Sequence, residues 1–180
     1  ALVERRMASV FALIGEKVPL PFPRLPYETC LDLYGTDKPD LRGGLEIRDL
    51  GAAAAGIDSE ILKRALAEGG VLKGLFDKGA GAMSRSHIEK LADKAKSLGA
   101  AGLIWIKKQP DGFKSALKLA DPDYEKLWAG LGGEEGGLGL LIAGKRETAL
   151  KALGEIRKDL IHDEAKKSRA FKFAWVTEFP

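Results

Sequence analysis

Cysteine is nearly absent: Cys30 is the only one in the chain, so no disulfide forms within it and no cysteine-based zinc site is available. Histidine is almost as scarce. His87 and His162 have no cysteine or carboxylate at ligand spacing, which predicts two residues on the polar sides of helices and no metal site. Hydrophobic runs such as Gly102-Leu-Ile-Trp-Ile106 and Leu138-Gly-Leu-Leu-Ile-Ala143 are far shorter than the roughly 20 residues of a membrane-spanning helix. No basic stretch followed by an apolar one opens the chain, and the expectation is a cytoplasmic protein without a membrane partner. An excess of one charge is also lacking. With 29 basic and 26 acidic residues, the net charge of +3 is too balanced to mark a nucleic-acid binder by charge. No glycine-rich loop fits a phosphate-binding pattern; Gly133-Glu-Glu-Gly-Gly-Leu-Gly139 places two carboxylates where a phosphate would sit and reads as a surface turn. No set of catalytic residues is found.

What is present is material for a core. Of 180 residues, 45% are apolar and 31% charged, enough for one ordinary domain and an appendage. Val3, Met7, Val10, Phe11 and Ile14 share one face of a predicted first helix, with Gly15 as its C-cap. A proline-rich linker, Pro19 to Pro23, leads to a short helix over 26–33 and then to a polar, turn-rich loop over 35–44. Beyond it, alternation predicts strands over 45–50, 71–76, 103–107 and 138–143, with 115–119 pairing back on 103–107 across Pro110-Asp-Gly112. Helices are predicted from Ser59, from Ser84 or Ser86 (the latter in a capping box with Glu89), from Asp121 and, longest, from Lys145 to Lys158 or beyond. The fold class that follows is α+β: a mixed or antiparallel sheet of four to five strands with helices packed on it. The first helix has no N-cap and the apolar stretch 171–180 stops abruptly, so the chain is expected to be cut from something longer.

Two polar features compete for a role. Thr36, Asp37, Lys38, Asp40 and Arg42 crowd one short loop stiffened by Pro39; such a cluster either faces solvent with local caps or orients a phosphate ester or an active-site wall. Lys90, Lys94, Lys96, Lys107, Lys108, Lys114 and Lys118 form either a weak phosphate-facing surface or solvated faces. Trp105, Trp128 and Trp175 fit core positions better than stacking platforms.

Pro21-Phe-Pro-Arg-Leu-Pro-Tyr27 followed by Tyr34-Gly-Thr-Asp-Lys-Pro-Asp-Leu-Arg42 resembles the stretch after motif 2 of bacterial aspartyl-tRNA synthetases. Ser84-Arg-Ser-His-Ile-Glu89 through Lys107, then Leu140 to Lys145 and Ala149 to Arg157, look like that family's inserted domain, the GAD domain. Phe173-Ala-Trp-Val-Thr-Glu-Phe-Pro180 is similar to the strand that returns to its catalytic core. Thr36 stands in place of the usual serine, Glu178 of an aspartate and His87 of a glutamate.

The resemblance implies three parts: a catalytic-domain segment over 1–44, an inserted GAD-like domain over 45–170 and a return strand over 171–180, with partial class II synthetase segments at both ends. It implies a homodimeric parent that activates aspartate with ATP and Mg and transfers it to tRNA. The motif 2 arginine, the motif 3 strand and the anticodon-binding barrel are not found here, so the chain itself is expected to hold no cofactor, contribute no catalytic residue and not aminoacylate. The inserted domain is expected near the tRNA acceptor arm, with Thr36, Asp37, Lys38, Asp40 and Arg42 as active-site rim or acceptor-end contacts. The competing expectation is a free-standing tRNA-binding GAD-like module, as in a tRNA-dependent amidotransferase subunit.

Overall fold

The computed structural model describes residues 2–67, 69–167 and 171–180, and for 162–167 the backbone alone. Helix α1 (Leu2–Ala12) is followed by β1 (Arg24–Pro26) and α2 (Tyr27–Tyr34). The central body holds β2 (Arg48–Asp49), α3 (Gly51–Ala54), α4 (Glu60–Ala67), β3 (Val71–Asp77), α5 (Arg85–Ser97), β4 (Ile104–Gln109), β5 (Gly112–Ser115), α6 (Asp121–Gly130), β6 (Leu138–Gly144) and α7 (Arg146–Lys167). The last element is β7 (Trp175–Thr177).

Among the described residues, five strands form one sheet in the order β2-β3-β6-β4-β5, every neighbour antiparallel. β3 and β4 are joined by α5 and lie on either side of β6, which pairs with β3 from Val71↔Gly144 to Asp77↔Leu138. Because side chains alternate across a strand, β6 supplies Leu138, Leu140 and Ile142 to one apolar layer and Leu141 to the other. The first layer lies under α5 and α7, with Ile88, Leu91, Ala149, Leu153 and Ile156; the second lies under α3, α4 and α6, with Ala54, Leu62, Leu127 and Trp128. Burying a leucine side chain in such a layer stabilises by roughly 1.5–3 kcal/mol, so β6, buried on both faces, is the mechanical centre. Two strand positions leave room for the residue that follows α6: a Cβ on Gly74 or Gly139 would lie 2.7 Å or 2.6 Å from a Leu131 methyl and would push that side chain aside. The α+β class expected from alternation is the observed one.

Several boundaries differ from expectation. The strand expected over 45–50 shrinks to Arg48–Asp49, because the Ile47 N–H turns to Leu33 O at 2.7 Å. The hairpin forms, but its second strand is 112–115 rather than 115–119. Beyond Ser115 the chain turns in: Ser115 Oγ takes the Leu117 N–H at 3.0 Å, and the Tyr124 hydroxyl donates to Leu117 O. Ser84 is the cap of α5, accepting from His87 N at 3.3 Å, while Glu89 pairs with Arg85 instead of closing a box on Ser86.

The first helix seats differently from its apolar pattern. Val3, Val10 and Ile14 are exposed, whereas Glu4 is buried and accepts from Trp175 Nε1 at 2.8 Å. Phe11 turns inward, its ring 4.7 Å from that of Phe171 and 5.0 Å from that of Phe173. β1 pairs in parallel with β7, from Arg24↔Trp175 to Pro26↔Thr177. The segments at 2–26 and 171–180 therefore share one small packing unit. The boundary expected at 170 and the side chain of His162 fall outside the described residues.

Candidate functional site

The loop singled out in the sequence leaves α2 through Gly35, whose φ of +68° closes the helix and whose N–H reaches Leu31 O at 2.9 Å. A side chain there meets more than the left-handed backbone penalty. A Cβ on Gly35 would overlap Leu150 O and lie 2.7 Å from the Gly154 Cα, so the loop starts in backbone contact with α7. Thr36 Oγ1 then accepts from Lys38 N at 3.2 Å, the local turn chemistry of a hydroxyl residue.

Asp40 does two jobs. One oxygen accepts from its near neighbour Arg42 N at 2.9 Å, and both oxygens take the Arg42 guanidinium, Nε at 2.9 Å and Nη2 at 2.7 Å. That hydrogen bonding holds the Asp40 carboxyl below its ordinary range against the opposing effect of burial. The planar fork matches a carboxylate, so this cation and anion largely satisfy one another. Asp37 and Lys38 make no side-chain hydrogen bond or ion pair among the described residues, and Lys38 is exposed. The cluster therefore separates into a braced pair, Asp40 and Arg42, and an open pair, Asp37 and Lys38, which sit in the turn that Thr36 closes.

Sequence reasoning missed the residue that holds this loop from outside. Arg157 on α7 is only 1% exposed. It donates Nη2 to Asp40 O at 2.6 Å and Nε to Leu45 O, and its guanidinium lies 4.7 Å from the centre of the Tyr34 ring. The Tyr34 hydroxyl in turn donates to Glu46 at 3.3 Å. Burial lowers the Arg157 pKa, opposed by the acidic groups of Tyr34, Asp40 and Glu46 beside it. On the far side, Lys172 Nζ donates to Leu41 O at 3.1 Å, and a shallow cleft opens between Pro39 to Arg42 and Phe171 to Lys172.

A second set of charges ties α2 to the central body. Arg146 pairs with Glu28 at 3.1 Å and with Asp32 at 3.0 Å, and the buried Lys73 pairs with Asp49 at 2.9 Å. Asp32 Oδ1 faces both Arg146 and, at 3.5 Å, Lys73, near enough for charge attraction but out of line for a hydrogen bond.

The other lysine cluster is largely spent. Lys94 pairs with Asp159, Lys96 with Asp93, Lys108 with Glu125 and Lys114 with Asp111. Lys107 turns to Met83 O at 2.7 Å, and its pKa is lowered by burial. His87 is exposed, as are Glu134 and Glu135 in the glycine-rich turn. Among the described residues no group of three or more His, Cys, Asp or Glu could hold a metal ion, and no helix is long and apolar enough to cross a membrane.

A split β-α-β sheet covered on both faces, with a loop braced from its longest helix, defines an α+β module. The chain belongs to the GAD domain family, whose profile matches residues 62–153. It is also similar along 99% of its length to longer proteins: 39% identical over 185 residues to the aspartate–tRNA(Asp/Asn) ligase of Moorella thermoacetica and 34% over 184 to the aspartate–tRNA ligase of Clostridium kluyveri. The aspartate–tRNA(Asp/Asn) ligase of Chlamydia abortus is 35% identical over 182 residues. The chain spans about 30% of the first of these curated relatives and 31% of the other two. The resemblance read from the motifs thus holds from one end of the chain to the other.

Proposed function

We propose that this chain is the inserted domain of an aspartate–tRNA ligase together with the catalytic-domain segments on either side of it. One observation carries the reading: similarity at 34–39% identity runs through 99% of the chain, including the segments outside the GAD match, yet occupies less than a third of each relative. A free-standing module has no use for those flanks. Residues 1–44 and 171–180 are then parts of the host domain and 45–170 the insertion, and the packing of α1 and β1 against β7 supports that division.

In this reading the parent enzyme works in the cytoplasm as a homodimer. It activates aspartate with ATP and Mg and passes it to the end of tRNA; the insertion lies beside the acceptor arm without doing chemistry. Thr36, Asp37, Lys38, Asp40 and Arg42 form part of the active-site rim. The open pair Asp37 and Lys38 offers one charge of each sign to a ligand or the acceptor end, while Asp40 and Arg42 keep the loop stiff.

The test has two arms. The purified chain shows no aspartate-dependent ATP–pyrophosphate exchange, and measurable exchange contradicts the proposal. Its affinity for tRNA is weak and salt-sensitive, on the order of tens of micromolar given so few unpaired phosphate contacts; tight binding that survives high salt supports a dedicated tRNA-binding module instead.

A further inference from the structure

Arg157 is the most deeply buried charged side chain among the described residues, and it forms no ion pair among them. Removing a guanidinium from water costs several kcal/mol unless the site supplies good geometry in return. Here the return is two main-chain carbonyls, Asp40 O and Leu45 O, lying on either side of the turn that contains Gly43 and Gly44. A rigid fork that donates to both sets the distance between them, which a flexible apolar side chain of equal volume does not do. The Tyr34 ring lies against the guanidinium, so the same side chain also ties the end of α2 to the far end of the loop. One residue of α7 thereby fixes where the 36–42 segment begins and ends.

We propose that Arg157 is a positioning residue: from the inserted domain it clamps the loop Thr36–Arg42 into one conformation, and the ligase needs that conformation to work. The role rests on the rim assignment made above, while the clamp itself does not. Gly154, one turn earlier on α7, acts with it by letting Gly35 approach to backbone contact. The GAD domain is then more than a neighbour of the site, because its longest helix sets the shape of a segment on the host side.

Amide hydrogen exchange on the 180-residue chain tests the clamp. Arg157→Met is expected to speed exchange across 36–46 by about tenfold or more while β6 amides keep their protection, the pattern of a local opening. Unchanged exchange in the loop overturns the proposal, and so does equal acceleration in β6, which would mark a general loss of stability. Arg157→Lys keeps the charge but cannot span both carbonyls, so it gives an intermediate acceleration and carries the same comparison if the methionine variant does not fold. In the ligase that contains this chain, Arg157→Lys lowers kcat/KM for aspartate-dependent ATP–pyrophosphate exchange by about tenfold, the scale of a misplaced positioning group. A loosened loop with unaltered ligase kinetics overturns the rim assignment and the positioning role together, and an unmoved loop overturns the clamp whatever the kinetics.

Discussion

Arg157 and Gly154 act on the same loop in opposite ways, one by reaching into it and the other by presenting no side chain. Helical backbone accepts alanine at 154 without strain, but its Cβ would lie 2.8 Å from Gly35 O and 2.9 Å from Gly35 Cα. Neither contact is the end of a flexible side chain, so α2 and α7 must part. Gly154→Ala is therefore expected to cost about 1–3 kcal/mol, the range for inserting a methyl group into a packed site, read as a lower urea midpoint with unchanged slope. Asp40 gives a second test. Hydrogen bonds from Arg42 hold its carboxyl below the ordinary value of 3.8, so the folded state prefers the ionised form. The stability this adds is complete above about pH 4 and is lost as pH falls through the lower folded-state value. Asp40→Asn should flatten the acid limb of stability in urea titrations between about pH 2 and 5, with loss of the Arg42 bridge seen as greater exposure of that side chain. Glu4 is held down chiefly by the Trp175 indole N–H; Trp175→Phe should raise its pKa toward the ordinary 4.5, followed by NMR of the side-chain carboxyl.

At the level of elements, the sequence was legible where an apolar period stood alone. Leu138 to Ala143, Val71 to Phe76 and the face of α5 were read close to their observed bounds, because two-residue and near-four-residue periods leave little choice once both faces need covering. It was misleading where alternation had another use. Leu45 to Leu50 alternates like one strand, yet only Arg48 and Asp49 join the ladder, because the Ile47 N–H is taken by Leu33 O. α3 went unread, since four residues of Gly51-Ala-Ala-Ala54 carry no period. The parallel β1–β7 pair joins positions some 150 residues apart, and nothing local announces it. The candidate loop stood out through its crowding of charges, but its clamp did not: Arg157 lies 117 positions from Asp40 and looks in sequence like one more cation on a long helix. Separation in the chain, not lack of chemistry, hid the second half of the site.

At the scale of the whole molecule, a tightly packed centre adjoins an edge of exposed apolar side chains. Leu13 and Ile14 after α1 are 85% and 67% exposed, and Leu2, Val3 and Val10 are open beside them. Exposed apolar side chains of this kind fit the proposal that a host domain packs on that side. Leu13→Glu should leave the unfolding free energy within about 0.5 kcal/mol, as for a surface change. Leu141→Ala in β6 should cost about 2–5 kcal/mol, as for a core truncation; thermal and urea unfolding of the two variants separates the edge from the centre.

β6 is the last of the five sheet strands to be synthesised, yet it lies third across the sheet. Until residues 138–144 leave the ribosome, β3 and β4 can each join only an outer neighbour, and the inner edges of β3 and β4 both lack their partner. A chain that has exposed β4 and β5 but not yet β6 is thus the state most open to wrong pairing. Late arrival of one strand converts two halves into a domain in a single step.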